Sequence, residues 1–282
     1  MMNKSVLTIA GSDSGGGAGI QADLKVMCAY GVYGMSVITA VTAQNTLGVQ
    51  RVEEMSGEMV AAQLFSVLED IRPDAVKLGM LFSRENVKAA AEAIERYRLE
   101  NIVLDPVMLS SSGHKLLRED ALEAMQELLF PRVTLVTPNV PEARRLADVY
   151  LPGKKEKDPV GWVERTAALF SARWQTSFLI KGGHLEDAPA DYFYDGKQGR
   201  WFAGRRIRTR HTHGTGCTLS TAIACNLARG LSVEEAIEEG KEYLTGCILH
   251  NPALGHGHGP LNHLWRMEEG KACIEAEKNG CI

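Results

Sequence analysis

Short apolar runs alternate along the chain with longer stretches whose apolar positions recur every three or four residues. Val6–Ala10, Met35–Val41, Ala75–Leu78, Ile102–Leu104, Val133–Val136 and Phe178–Ile180 read as buried strands, largely apolar on successive positions. Between them the helical period predicts helices over Ala18–Tyr30 (apolar Ile20, Leu24, Met27 and Cys28), Glu58–Ile71, Glu85–Tyr97, Glu119–Leu129 and Pro141–Ala147. Strand and helix in alternation predict an α/β fold with a mainly parallel sheet covered on both faces. Beyond Lys181 the pattern changes. Asp191–Tyr194 and Trp201–Arg210, separated by Asp195-Gly196-Lys197, predict an antiparallel hairpin. Helices are expected over Cys217–Arg229 and Val233–Leu249, and a last one near Leu261–Ala276, after a Gly/His-rich loop.

No repeat and no long polar linker interrupts this pattern, so residues 1–282 are expected to form one domain. Ligands of such sheets gather at the carboxyl ends of the strands. Here those ends carry Gly11-Ser12-Asp13, Gln44-Asn45, Gly79-Met80, Asp105-Pro106, Asn139 with Glu142, and Lys181-Gly182-Gly183.

Composition narrows the partners. Hydrophobic content of 45% and charged content of 23% are ordinary for a globular chain, and a net charge of −4 offers no footprint for nucleic acid. The first apolar run is too short for a membrane span. Six scattered cysteines with no CxxC suit reduced thiols and a cytoplasmic location.

Four motifs carry candidate chemistry. His213-Gly214-Thr215-Gly216-Cys217 leads into a helix, and two glycines there leave N–H groups open to an anion at the positive end of the dipole. Gly11–Gly19 follows the first strand. Its Gly17-Ala18-Gly19 approximates a dinucleotide fingerprint, but the second strand ends in Gln44-Asn45 where an acid would be needed, which favours a loop around a small polar ligand. Asp105, closed by Pro106, and Asn139-x-x-Glu142 could hold Mg²⁺ through water; Glu142 could equally be a first-turn helix acid. Lys181 beside Gly182-Gly183-His184 could neutralise phosphate. Gln44 suits a heterocycle edge and Met80 an adaptable apolar wall, while Asp23 could be an ordinary residue of the first helix. The histidines of Gly255–His263 have no acidic or thiol companions and make a weak metal site. There is no GxxxxGK[ST] and no protein-kinase signature.

Taken in order, Ala10–Asp23, Thr39–Thr46, Lys77–Leu81, Asp105–Met108, Asn139-x-x-Glu142, Lys181–His184, Gly214–Cys217 and Gly255–His263 resemble the ribokinase superfamily. Within it the chain is most similar to the hydroxymethylpyrimidine/phosphomethylpyrimidine kinases of thiamine biosynthesis, over nearly its whole length. The resemblance implies a ribokinase-like three-layer αβα sandwich, often a homodimer. It also implies two ATP-dependent phosphorylations: of 4-amino-5-hydroxymethyl-2-methylpyrimidine, then of its monophosphate. By the same resemblance Asp23 and Gln44 contact the pyrimidine edge, and Gly11, Ala18, Met80 and Val107 line its pocket. Asp105 and Glu142 hold Mg²⁺. Asn139, Glu142, Lys181, Thr209 and Gly214 serve ATP. Gly214, Thr215 and Gly216 form the anion hole, with Cys217 beside the accepting group.

Sugar kinases of this superfamily carry Asp where Cys217 stands. A phosphate acceptor needs no base, and a thiol adds no negative charge beside it. At a helix N-terminus its pKa is expected to fall, so that it could serve as base when the alcohol attacks. The nearest rival reading is a pyridoxal/pyridoxine kinase; a distant one is an NAD(P)-dependent oxidoreductase built on Gly11–Gly19.

Overall fold

A computed structural model of the chain describes residues 4–110, 113–148, 150, 158–183 and 190–267. The elements run β1 (Ser5–Asp13), α1 (Gly19–Ala29), β2 (Tyr33–Asn45), β3 (Gly48–Glu54), α2 (Gly57–Leu68), β4 (Ala75–Leu78), α3 (Arg84–Tyr97), β5 (Ile102–Leu104), α4 (Glu119–Ala124), β6 (Leu135–Val136), α5 (Val140–Ala147), α6 (Pro159–Trp174), β7 (Ser177–Ile180), β8 (Asp191–Tyr194), β9 (Gly199–Phe202), α7 (Thr215–Ala228) and α8 (Val233–Leu249). Among the described residues nine strands form one sheet, in the order β3-β2-β1-β4-β5-β6-β7-β8-β9. Pairing is parallel from β2 through β7 and antiparallel at both edges, β2 with β3 and β7 with β8 and β9.

The period-two alternation of the strands sorts their side chains into two cores. Leu7, Ile9, Val76, Leu78, Ile102, Leu104, Val136 and Phe178 pack against α2–α6. Val6, Ala75, Val103, Leu135 and Leu179 face the other way, against α1, α7 and α8 through Met27, Ile223, Ile237 and Tyr243. These are the three layers of the expected sandwich. Thr8 and Lys77 are register partners in β1 and β4. They occupy positions of the α1/α7 face where apolar residues would otherwise sit, and both are fully buried.

Several boundaries differ from the pattern reading. The second strand runs on to Asn45 and turns back as β3, a hairpin with no apolar run of its own, since β3 is partly exposed. Of Trp201–Arg210 only the first two residues are strand; the four arginines that follow lie in irregular backbone. The helix of Glu119–Leu129 changes to a π-turn over Met125–Leu129. α6 escapes the strand-and-helix reading although Asp158 caps it and Pro159 opens it. Most of Leu261–Ala276 lies outside the described residues, as does His184.

Candidate active site

The carboxyl ends of β1, β2, β4, β5, β6 and β7 bring two polar groups together beneath the first turn of α7. Gly214 opens that turn at φ 88°, and a Cβ on it would stand 1.9 Å from the Gly17 carbonyl oxygen. Only glycine fits there, which presses the N-terminal loop against the anion loop.

The first group is acid and base in balance. Lys181 Nζ bonds Asp105 Oδ1 at 2.6 Å, with both side chains largely buried. Asp105 Oδ2 lies against Gly216, where a Cβ would come within 3.0 Å. Lys181 is aligned by its own N–H, which donates to the Pro138 carbonyl oxygen at 2.8 Å. Burial disfavours its charge, but Asp105 and Glu142 more than offset this and hold its pKa above the usual lysine value. Glu142 and Asn139 form a capping box: the Glu142 N–H donates to Asn139 Oδ1 at 2.9 Å and the Asn139 N–H to Glu142 Oε2 at 2.8 Å. Burial, helped by Asp105, pushes the Glu142 carboxyl up to about 7 against the pull of Lys181. Two buried carboxylates share one lysine here, a donor set that fits a hydrated divalent cation. Among the described residues no three His, Cys, Asp or Glu cluster as a cage for a bare ion.

The second group is polar and belongs to the N-terminal loop. Asp13 accepts from the N–H groups of Gly15 (2.8 Å), Gly17 (3.1 Å) and Ala18 (2.9 Å), and its Oδ2 meets His213 Nε2 at 2.8 Å. Those loop N–H groups are therefore committed to a carboxylate and are not free for a pyrophosphate, so the dinucleotide likeness of Gly17-Ala18-Gly19 has no physical counterpart. Gln44 is fixed through its backbone by Ser14, and its side chain reaches His213 Nε2 at 3.2 Å. Gln44, Ser110, His213 and His258 line a narrow cleft. Beside it Gly11 lies against the Met80 sulfur, and Val107 packs on the small cluster of Ala40, Met80 and Leu116. Asp13 and His213 are 200 residues apart in sequence and carry no local signal as a pair.

Two expectations change. Asp23 does not reach this cleft. It is fully buried on the α1/α7 face, where its carboxylate accepts from Lys77 Nζ at 2.8 and 3.0 Å, Thr8 Oγ1 at 2.6 Å and Thr221 Oγ1 at 2.7 Å. With four hydrogen bonds around it, it has no free edge for a pyrimidine. Cys217 faces the same region, and its thiol pKa is raised, not lowered. Burial is the main cause; Lys77 pulls it down, while Asp23 and Asp105 push it up. The helix N-terminus does not overcome that desolvation. Thr209 lies on the irregular approach to α7, and its Oγ1 accepts the His211 N–H at 3.1 Å.

The phosphomethylpyrimidine kinase family model matches residues 13–262. The chain belongs to the phosphomethylpyrimidine kinase family. A hydroxymethylpyrimidine/phosphomethylpyrimidine kinase of Streptomyces coelicolor is 48% identical over 94% of this chain and 96% of its own length. Among solved structures, a phosphomethylpyrimidine kinase of Clostridium difficile is 40% identical, with a TM-score of 0.74 over 86% of this chain and 98% of that one. A pyridoxal kinase of Bacillus subtilis in complex with ADP is 35% identical, with a TM-score of 0.84 over 94% and 99%. The ribokinase-like α/β fold is thus common to kinases of two substrate classes, and membership of the phosphomethylpyrimidine kinase family favours the first. No described helix is long and apolar enough to cross a membrane.

Proposed function

We propose that this chain transfers the γ-phosphoryl group of ATP to the hydroxymethyl oxygen of 4-amino-5-hydroxymethyl-2-methylpyrimidine, and then a second one to the resulting monophosphate. The observation that carries the reading is the Lys181–Asp105 pair set against Gly216 at the start of α7, with the Gln44–His213 cleft next to it. A charged end and a polar cleft flank the first turn of α7.

The residues divide as follows. Gln44, Gly11, Ala18, Met80 and Val107 hold the ring. Lys181 and Thr209, with Asn139 and Glu142, lie along the nucleotide. Asp105 and Glu142 would hold Mg²⁺ through water, which when bound offsets the negative charge of the phosphates. Gly214, Thr215 and Gly216 at the start of α7 would meet the charge that builds up during transfer, where preorganised donors count most, with the Thr215 N–H exchanging its 3.3 Å bond to the Thr212 carbonyl oxygen. In the first step the hydroxymethyl oxygen bonds to γ-phosphorus, the bond to the ADP oxygen breaks, and the hydroxyl proton passes to water. In the second the acceptor is already anionic and no proton need be taken, which suits a neutral Cys217 thiol. A homodimer is expected from the resemblance, and Tyr33, Val41 and Leu47 are exposed apolar residues on and beside the β2–β3 hairpin. Sedimentation as a monomer at micromolar concentration would remove that expectation.

Steady-state kinetics with the aminopyrimidine and with pyridoxal test the substrate class. The expected outcome is a kcat/KM for the pyrimidine well above that for pyridoxal; the reverse order would assign the chain to the other kinase.

A further inference from the structure

Gln44 sits between two conflicting neighbours. Asp13 is an acceptor only, held ionised by His213 and the loop N–H groups against the effect of burial. The His213 Nε2 that bonds it at 2.8 Å must therefore carry the proton. A protonated Nε2 cannot accept from a Gln44 NH₂ group 3.2 Å away. At the other end of the amide, the Thr42 hydroxyl lies 3.1 Å from the second Gln44 side-chain position and 3.0 Å from the Ser12 carbonyl oxygen. With the Thr42 proton given to Ser12, that Gln44 oxygen faces a hydroxyl oxygen with no proton between them, whereas a three-centre bond from the His213 N–H leaves no such contact. Turning the amide by 180° resolves both conflicts at once, and amide oxygen and nitrogen are assigned from their hydrogen bonds. The oxygen then shares the His213 N–H with Asp13, the NH₂ donates to Thr42 Oγ1, and the Thr42 proton goes to Ser12.

His213 lines the cleft and the buried Thr42 does not. The amide atom on the His213 side is therefore the one a ligand meets. We propose that Asp13 and His213 set the Gln44 amide so that its oxygen faces the cleft, which makes this pair the selector for a ring bearing an exocyclic amine over one bearing an oxygen at the same place. This rests on the kinase reading above and adds to it how the acceptor ring is chosen. An amine donates to that oxygen; a ring oxygen substituent meets a second acceptor and is repelled. His213 is a positioning residue here, acting through Gln44.

The test compares kcat/KM for the 4-amino pyrimidine and its 4-oxo analogue. The wild-type chain should favour the amine by on the order of a hundredfold or more. His213→Leu removes the donor that fixes the amide, and the ratio should fall about tenfold, as expected for one polar contact. His213→Gln, which keeps an N–H between Asp13 and Gln44, should restore most of it. Thr42→Val removes the acceptor at the far end and should move the ratio the same way, so it carries the test should His213→Leu not fold. A general disturbance of the loop would lower both substrates in parallel, leave the ratio alone and so count against the proposal. An unchanged ratio in His213→Leu, or in Thr42→Val where the former is unfolded, overturns the proposal while the kinase reading stands. Absence of phosphoryl transfer to either pyrimidine by the wild-type chain would sink the kinase reading, and this selector with it.

Discussion

Replacing Lys77 by Met should unsettle the fold more than any exposed substitution. Lys77 and Asp23 are both fully buried, so neither charge has water to fall back on. Lys77→Met leaves the Asp23 carboxylate with only the Thr8 and Thr221 hydroxyls in a dry core. Breaking one side of a buried ion pair costs about 3–5 kcal/mol, since the surviving charge stays desolvated. For a chain of this size that corresponds to a fall in Tm of roughly 5–9 °C. Lys77→Met combined with Asp23→Asn removes the stranded charge and keeps a group that can bond both hydroxyls, so it should recover a large part of the loss. The assay is urea unfolding of the wild-type chain, the two single variants and the double variant, read as a double-mutant cycle. A loss below about 1 kcal/mol in Lys77→Met, or losses that simply add in the double variant, would refute the reasoning. The same variants test the placement of Asp23. If it belongs to the core and not to the cleft, Asp23→Asn should change stability far more than KM for the pyrimidine.

Lys181→Ala should reduce kcat on the order of 10²–10³-fold, the usual effect of losing one fixed donor at developing charge, and steady-state kinetics with saturating ATP check it. Gly214→Ala would place a methyl group on the Gly17 carbonyl oxygen at a left-handed φ, so activity should fall by more than about a hundredfold with the chain still folded by circular dichroism. Burial, with a smaller contribution from Lys25, presses the His263 pKa from 6.5 to about 4. A folded-state value below the unfolded one means the unfolded chain takes the proton first on acidification. Stability from this group is thus complete above about pH 6.5 and is lost down to about pH 4, by about 3 kcal/mol in all. Urea unfolding across that range should show a steeper acid loss for the wild-type chain than for His263→Gln. Cys217, kept as a thiol by burial, should alkylate with iodoacetamide much more slowly near pH 8 than the exposed Cys28, read by peptide mass.

The sheet is legible in the sequence because its central strands are apolar on both faces, and at that length a strand covered on both sides accounts for such a run better than a helix does. The functional edge is legible for the same reason: polar residues and glycines stand out where an apolar run stops. The β2–β3 hairpin is hidden because β3 has little to bury. The resemblance puts Asp23 at the pyrimidine edge, and its spacing in α1 does not decide, because it fits either an exposed position or a buried one. What decides is Lys77 on β4 and Thr221 on α7, contacts 54 and 198 residues away. Cys217 is misjudged because the helix N-terminus is a local feature visible in sequence, whereas the burial that outweighs it depends on the whole α1–α7 packing. Asp13 and His213 stand in separate motifs, and nothing short of the folded chain joins them.

On this reading one site performs both transfers. A single incubation of the chain with 4-amino-5-hydroxymethyl-2-methylpyrimidine and MgATP, sampled over time and read by mass, tests it most directly. The monophosphate should rise and then fall as the diphosphate replaces it. A monophosphate that accumulates with no diphosphate after excess ATP, or no phosphorylated pyrimidine at all, would contradict it.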